Sequence, residues 1–403
     1  MAAATALDIA ELPFSDLVVL LSPETPADDG RFRRVVDAVA TELGRGGSGL
    51  LAIAGVPRVG ALRRRLLPLA RRLALMDHPI RSQLLKKHGL GSDVPLKKLN
   101  RSVSSFAQLL RHSGELTLLE SVNNNNGFNS SDKIQDCNQS VDANGDDDME
   151  NLGGLVKELG LYMMELGILV ARACDIAIGR GQLEQSITDF GTAKARLIHY
   201  HSELDNNVIR DNSTKRKGSE WHYDYGILTV LTAPLFLSAS EDENSLVNLE
   251  CHPPDGHTHL HLCNGRKIFS VRCSPENFIV QVGEAADILS QGKLKSTLHA
   301  VSRPLTSTDI SRETFVVFLQ PSWDKTLAYP GYSLDEGESI LSKETSDVSD
   351  GSAGPCDEDT FMQEILKKIP PMSSRLKEGM TFAEFSRQTT KQYYGGSGIQ
   401  QNN

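Results

Sequence analysis

The stretch WHYDYG, residues 221–226, places a histidine and a carboxylate two positions apart, just before an apolar, β-branched run. Residues i and i+2 of a strand point to the same face, so His222 and Asp224 would project together while Tyr223 turns away. An imidazole and a carboxylate can hold a divalent metal ion, but they leave most of its coordination sphere open. A metal site therefore needs a third ligand from elsewhere; without it, the pair is only a polar entrance to a core strand.

The best candidate for the third ligand is His299, in the stretch LKSTLHAVSRP on another predicted strand. A jelly roll brings such distant strands side by side. Two histidines and one carboxylate on one face of a metal, with the opposite face open, are typical of non-haem Fe(II) oxygenases. The sequence therefore offers His222, Asp224 and His299 as a metal-ligand set.

A second pair at strand spacing follows in SRETFVVFLQP, where Arg312 and Thr314 share a face. A guanidinium can grip a carboxylate with two parallel hydrogen bonds, and a hydroxyl two residues on can donate to the same group. The pair would make a receptor for a small dicarboxylate. The alternative is a strand-edge arginine in a surface ion pair.

These residues need elements to position them, and the sequence changes character near residue 191. Before it, apolar periodicity predicts helices over 29–46, 61–76 and 149–179, a buried strand over 48–57 and a short helix around SSFAQLLR, residues 104–111. The basic run 63–72 is predicted to be a solvated helix face. After residue 191, short β-rich runs separated by Gly, Pro, Asn and Asp predict an antiparallel sandwich or jelly roll.

The fold class expected is therefore α+β, a jelly-roll core with an N-terminal helical region and a C-terminal tail helix. The Asn- and Asp-rich stretch 123–148 has too few apolar residues to offset its ordering entropy, which predicts disorder. The expected parts are an N-terminal helical region with a short strand over 1–115, a disordered insertion over 116–150, a long supporting helix over 151–190, the jelly-roll core over 191–330, an acidic linker over 331–360, and a C-terminal helix and tail over 361–403.

Composition narrows the function classes. The 403 residues carry a net charge of −10, which argues against a nucleic-acid footprint. No apolar run approaches the roughly 20 residues of a membrane helix. The six cysteines form no Cys-x-x-Cys pair, and no secretory signal opens the chain, so reduced thiols and a cytoplasmic location are expected. We expect a monomer that acts on a small molecule, with no nucleic-acid or membrane partner.

Several motifs in order resemble the plant-type 2-oxoglutarate- and Fe(II)-dependent oxygenases, whose core is a double-stranded β-helix. WHYDYGILTVL is similar to the family's His-x-Asp segment, GEAADILSQGKLKSTLHAV to the stretch before its distal histidine, and RET to its Arg-x-Ser. GLLAIAGVP is similar to an N-terminal strand and turn, and ARLIHY stands where the family often has Asn-x-Tyr. The resemblance implies that His222, Asp224 and His299 bind Fe(II). Arg312 and Thr314 would then bind the distal carboxylate of 2-oxoglutarate, with Tyr200 as a phenol donor.

The same resemblance implies a reaction that uses O₂ and 2-oxoglutarate, is supported by ascorbate, and releases succinate and CO₂. Because Asp224 supplies a carboxylate ligand, hydroxylation or desaturation of a small metabolite is the expected outcome. The chain departs from the family pattern at Ile198, Tyr223 and Ala300, which indicates a divergent member with an unfamiliar substrate pocket.

Two other functions are open at this point. CHPPDGHTHLHLC, residues 251–263, could bind zinc through Cys251, Cys263 and the alternating His257, His259 and His261, although it lacks the usual knuckle spacing. A solvent-facing row of histidines on a strand is the favoured interpretation of that stretch. The second alternative is a catalytically silent binding module on the same fold.

Overall fold

The computed structural model describes residues 5–22, 28–92, 102–112, 116, 145–179, 181–209, 221–239, 248–265, 267–304, 309–327, 363, 365 and 367–394. The helices are α1 (Phe14–Leu17), α2 (Gly30–Glu42), α3 (Val59–Leu75), α4 (His78–Lys87), α5 (Gly145–Glu150), α6 (Leu152–Ile178), α7 (Leu183–Thr188), α8 (Glu203–Ile209), α9 (Glu284–Leu289), α10 (Met372–Arg375) and α11 (Phe382–Tyr394), with a 3₁₀ turn at Val18–Leu21.

The strands are β1 (Thr5–Asp8), β2 (Glu11–Pro13), β3 (Leu50–Ala54), β4 (Gly91–Ser92), β5 (Val103–Leu110), β6 (Thr192–Tyr200), β7 (Leu228–Thr232), β8 (Leu235–Ala239), β9 (Asn248–Cys251), β10 (Leu260–Asn264), β11 (Lys267–Arg272), β12 (Phe278–Val282), β13 (Leu298–Val301) and β14 (Ile310–Gln320). They form two sheets. The smaller has the order β1-β11-β10-β13. The larger has the order β2-β3-β12-β7-β14-β6-β5-β4, with β8 pairing β14 and β9.

The two faces of the large sheet pack against different partners. Successive side chains of a strand point to opposite faces. Leu50 and Ala52 of β3 accordingly join an apolar cluster with Leu260 and Leu262 of the small sheet, while Leu51 belongs to a different cluster that includes the helices. The interior between the sheets is therefore distinct from the layer between the large sheet and the helices.

Helix α6 covers the outer face of the large sheet. Its Gly167 lies so close to Leu319 and Val230 that an added Cβ would collide with the Leu319 side chain. Glycine costs helix stability of roughly 1 kcal/mol relative to alanine, and here it permits close contact between helix and sheet. The mixed architecture of helices and large sheets agrees with the predicted fold class, with helices in the N-terminal region.

The short helix predicted around 104–111 is wrong, because these residues belong to strand β5. Strand β5 pairs antiparallel with β6 from Val103 opposite Tyr200 to Leu110 opposite Ala193. The apolar spacing of this short stretch fits either structure, and pairing with a strand distant in sequence decides the outcome.

The predicted disordered insertion lies largely outside the described residues, but its end instead forms helix α5. This acidic helix lies against the basic face of α3: Arg65 bonds Asp148 at 2.7 Å and Arg72 bonds Asp146 at 2.6 Å. The predicted acidic linker over 331–360 also lies outside the described residues, and the division into parts stays a prediction.

The basic run of α3 is only in part the solvated face that its spacing predicted, because Arg64 and Arg65 are exposed but Arg63 and Arg71 are not. Arg63 is buried, donates to the carbonyl oxygens of Ala233 and Pro234, and pairs with Glu250 at 3.0 Å. Arg71 is also buried and bonds Asp205 at 2.8 Å. The two arginines can be buried because carboxylates from distant segments form ion pairs with their guanidinium groups.

Candidate metal centre and co-substrate site

Backbone pairing brings the two predicted histidine ligands together. The N–H of His222 donates to the carbonyl of His299 at 3.0 Å, and the N–H of His299 donates to that of His222 at 3.1 Å. Residues paired in this way present their side chains on the same face. The imidazole rings accordingly lie 4.4 Å apart between centroids.

Asp224 completes the group, and its two carboxylate oxygens have different surroundings. Oδ2 accepts hydrogen bonds from the hydroxyl of Thr229 at 2.6 Å and from the side-chain amide of Gln281 at 3.1 Å. Oδ1 lies 3.9 Å from Nε2 of His222. The protein therefore fixes the carboxylate through one oxygen and presents the other to the histidine.

Two glycines allow the chain to turn at this point. An added Cβ at Gly226 would lie 2.7 Å from the Leu319 carbonyl oxygen, and one at Gly283 would collide with the carbonyl of Gly226. With Gly283 in place, the N–H of Glu284 donates to the carbonyl of Asp224 at 2.8 Å. The residues after β12 thus hold the backbone of the Asp224 segment.

The ligand atoms of His222, Asp224 and His299 all lie within 4.8 Å of one another. Burial and the neighbouring His222 lower the pKa of His299 to about 4, so its imidazole is neutral and has a lone pair for a metal. Two imidazoles and one free carboxylate oxygen are the donor set that suits Fe(II). The residues present therefore fit the iron ion that the sequence resemblance implies.

Arg312 and Thr314 lie on β14, the strand paired with both β6 and β8. Arg312 is buried and donates from Nε to the carbonyl of Thr258 at 3.0 Å. Its Nη1 is buried and has no hydrogen-bond partner among the described residues. A buried guanidinium nitrogen without an acceptor is costly, and a carboxylate would satisfy it.

Tyr200 packs beside this guanidinium, and Thr314 follows Arg312 two positions along the same strand. The Thr314 hydroxyl donates to the Thr232 carbonyl at 3.3 Å, so it already has an acceptor in the chain. Tyr200 stands opposite Arg312 in the sheet, and its ring lies 5.1 Å from the guanidinium carbon. Burial raises the pKa of the Tyr200 phenol. The positive charge of Arg312 acts in the opposite direction, and the negative charge of Asp224 adds to the rise. Tyr200 therefore lies beside the arginine, within electrostatic reach of Asp224.

Tyr223 turns away from the ligands, as the alternation predicted. It packs with Trp221 and Cys263 around a separate small cluster that includes Leu298. Ile198, by contrast, belongs to the cluster between the sheets, so that departure from the family pattern faces the interior.

The histidines of 251–263 do not form the predicted solvent-facing row. His259 precedes β10, is only 3% exposed, and has a left-handed backbone with φ of 57°. His261 bonds the hydroxyls of Ser302 at 2.9 Å and Ser270 at 3.2 Å. That prediction is wrong because the loop 253–259 folds back against the Arg312 segment.

Sequence reasoning missed Thr229 and Gln281, which hold Asp224. The Gln281 amide also lies 2.9 Å from Nδ1 of His299, so it contacts two proposed ligands. One signal could have identified it: Gln281 is the polar residue of the otherwise apolar strand FIVQV, which is wholly buried. Buried polar groups need partners, and the ligands supply them.

Comparison with known proteins agrees with this geometry. Residues 195–321 match the model of the 2OG-Fe(II) oxygenase superfamily. The oxygenase segment contains all three proposed metal ligands together with Arg312 and Thr314. The family predicted from the sequence, and its Fe(II)- and 2-oxoglutarate-dependent class, are confirmed for this segment.

Individual relatives are more distant. Gibberellin 20 oxidase 1-B of Triticum aestivum is 35% identical over 66 residues, which cover 16% of this chain and 17% of that protein. A full-length Neurospora crassa protein crystallised with alpha-KG and 5-formyluracil has a TM-score of 0.50 at 14% identity, covering 98% of this chain and 99% of its own. A dioxygenase for auxin oxidation from rice has a TM-score of 0.43 at 19% identity, covering 80% and 86%. The Neurospora structure supports the fold of this chain.

Among the described segments, no helix combines the length and apolar character needed to cross a membrane. The cysteines that the structure describes, Cys174, Cys251, Cys263 and Cys273, are free thiols.

Proposed function

We propose that the protein is an oxygenase that uses Fe(II), 2-oxoglutarate and O₂ to hydroxylate or desaturate a small-molecule metabolite. One observation carries the proposal: the ligand atoms of His222, Asp224 and His299 lie close together. Arg312 belongs to the same segment that matches the superfamily model, and its Nη1 has no partner among the described residues. In this proposal the two sheets form a double-stranded β-helix around the site.

When bound, iron with 2-oxoglutarate and O₂ would supply the oxidising chemistry, with release of succinate and CO₂. The chain's own residues position and shield the reactants. His222, Asp224 and His299 would hold the ion on one face, and Thr229 and Gln281 fix the carboxylate ligand. Arg312 would bind the distal carboxylate of 2-oxoglutarate, with Thr314 and Tyr200 beside it.

A small-molecule substrate is supported by the net charge of −10, since nucleic acid would be repelled, and by the name of the wheat relative, a gibberellin oxidase. The apolar interior between the sheets also suits a small organic substrate better than a solvated polymer. We further propose that the protein acts as a monomer in the cytoplasm.

Succinate release from 2-oxoglutarate tests the activity, with Fe(II), ascorbate and a panel of metabolites. Wild type should release succinate, and His222→Ala should reduce it by at least about 100-fold because one metal ligand is gone. His252→Ala is the matched control, since His252 is exposed and lies outside the ligand group. Equal release by wild type and His222→Ala would favour the catalytically silent binding module instead.

A further inference from the structure

A second group of potential ligands lies in the loop before β10. Asp255, His257 and His259 form an Asp-x-His-x-His pattern, and their ligand atoms all lie within 4.8 Å of one another. This is the same limit that the first triad meets. The two groups share no residue.

The buried member of this group is His259. Its Nε2 is buried and makes no hydrogen bond within the described part of the chain, yet it lies 3.3 Å from a carboxylate oxygen of Asp255. Burial, then the neighbouring His257 and Arg312, lower the pKa of His259 to about 3. The imidazole is therefore neutral beside the carboxylate, and no ion pair forms between them.

The backbone of His259 is held in a conformation that side chains rarely adopt. Its φ of 57° is left-handed, which costs a non-glycine residue roughly 1–3 kcal/mol. Such strain tends to persist at ligand sites, where the surrounding structure fixes a side chain in one orientation. Here the ring is fixed edge-on to Phe236, with 5.5 Å between centroids.

His257 supplies the second imidazole, with its ring centroid 4.3 Å from that of His259. Nδ1 of His257 accepts the backbone N–H of His259 at 3.0 Å. A neutral imidazole has one in-plane lone pair, so a cation would compete with this N–H for it. Metal binding through Nδ1 would therefore break only this hydrogen bond between His259 and His257.

The other candidates in this stretch are engaged elsewhere. Both ring nitrogens of His261 contact serine hydroxyls. The thiols of Cys251 and Cys263 lie near the carbonyls of Phe236 and Gly265 and are outside the ligand group. The alternative zinc site with cysteine ligands therefore does not form in this geometry.

We propose that Asp255, His257 and His259 bind a second divalent cation of the Zn²⁺ class. Two imidazoles and one carboxylate are an established Zn²⁺ ligand set, with a fourth position for water. Tetrahedral Zn²⁺ places its ligand atoms about 3.3 Å apart, and a carboxylate oxygen of Asp255 already lies at that distance from Nε2 of His259. Asp255 is exposed and His257 is half-buried, so this part of the loop can adjust to complete the coordination.

The position of this site connects it to the co-substrate site. Thr258 stands between the two histidines, and its carbonyl accepts the Nε hydrogen bond of Arg312. A cation held by His257 and His259 would restrain the loop that orients the guanidinium. The second metal is thus a positioning element for Arg312 and has no part in the oxidation.

Titration of the metal-depleted full-length protein with Zn²⁺ against a chromophoric chelator tests the proposal. Wild type should bind two equivalents, because Zn²⁺ also suits the first triad. His257→Ala and Asp255→Ala should each bind one, whereas the neighbouring exposed His252→Ala should bind two. One equivalent in wild type, or two in His257→Ala and Asp255→Ala, would overturn the proposal.

Co²⁺ absorption in the His222→Ala background separates the two sites. With the first triad disabled, the visible bands of a tetrahedral Co²⁺ centre should persist, and they should disappear when His257→Ala is added. Bands that survive in the double variant would contradict the proposal. Because His257 and Asp255 are not in the core, circular dichroism should show these variants folded, and neither readout depends on oxygenase activity.

Discussion

At the scale of single residues, the metal centre depends on how Asp224 is held. Its Oδ2 is bound by Thr229 and Gln281, which leaves Oδ1 directed at His222. Without those donors the carboxylate could rotate, and Oδ1 would no longer be held in position for a metal ion. Partners of metal ligands commonly matter nearly as much as the ligands themselves.

Thr229→Val therefore tests the role of this hydroxyl. The substitution keeps the volume and removes the 2.6 Å hydrogen bond to Asp224. We expect about 10- to 100-fold weaker Fe(II) binding, measured by titration of the metal-depleted protein. Thr192→Val is the control, because the buried Thr192 hydroxyl has no partner among the described residues. Equal affinity in the two variants would show that Thr229 has no positioning role.

Arg312→Lys makes a separate prediction for the co-substrate. Lysine keeps the charge but lacks the planar fork and the Nε donor to Thr258. A hydrogen bond to a charged group contributes about 1.5–3 kcal/mol, so the KM for 2-oxoglutarate should rise about 10- to 100-fold. The Fe(II) affinity of Arg312→Lys should be unchanged. The exposed control Arg272→Lys should leave both the KM for 2-oxoglutarate and the Fe(II) affinity unchanged. Loss of metal binding in Arg312→Lys would mean that its role is misassigned.

Several site residues could be proposed from the sequence because residues two positions apart on a strand point to the same face. His222 with Asp224, and Arg312 with Thr314, follow from that rule alone. His299 needed the further expectation that a jelly roll brings distant strands side by side, since its contact with His222 joins different segments. Thr229 and Gln281 were missed because a hydrogen bond between distant strands leaves no local spacing to detect.

At the scale of elements, a buried ion pair links the C-terminal segment to the residues that hold the metal centre. Arg375, at the end of α10, bonds both carboxylate oxygens of Glu284, and each side chain is 1% exposed. Glu284 begins α9, and its N–H binds the carbonyl of Asp224. The tail is therefore connected to the Asp224 segment through this glutamate, in addition to the ring contact between Phe382 and Tyr225 at 6.0 Å.

Arg375→Met should reduce the free energy of unfolding by about 3–5 kcal/mol, because the buried Glu284 loses its partner. Adding Glu284→Gln should restore much of this loss by removing the unpaired charge. The control Arg58→Met removes an exposed ion pair with Glu158 and should cost less than about 1 kcal/mol. Urea denaturation measures all of them; equal losses in Arg375→Met and Arg58→Met would contradict the assignment.

Element prediction succeeded where the pattern was long and failed where it was short. The predicted helix over 61–76 matches α3, and the long apolar run 149–179 matches α6. Strand β5 was taken for a helix because eight residues carry too little periodicity to decide. The arginines of α3 were placed in solvent because their carboxylate partners lie on distant elements.

At the scale of the whole molecule, folding buries imidazoles that must remain uncharged. The pKa of His261 falls to about 4, first through burial and then through the neighbouring His257 and Arg312. As the pH falls below about 6.5, the unfolded chain takes up a proton at this residue while the folded chain does not. Folding stability from this group is therefore lost as the pH falls from 7 towards 4.

His261→Gln should flatten that pH dependence. Between pH 7 and pH 5, wild type should lose about 2 kcal/mol more unfolding free energy than the variant, since one pKa unit corresponds to about 1.4 kcal/mol. Urea denaturation at both pH values, with a chelator present so that metal binding does not contribute, measures the difference. His78→Gln is the control, because this side chain is exposed, and the variant's curve should match wild type. If His261→Gln also follows the wild-type curve, the neutral buried imidazole is not a source of the acid sensitivity.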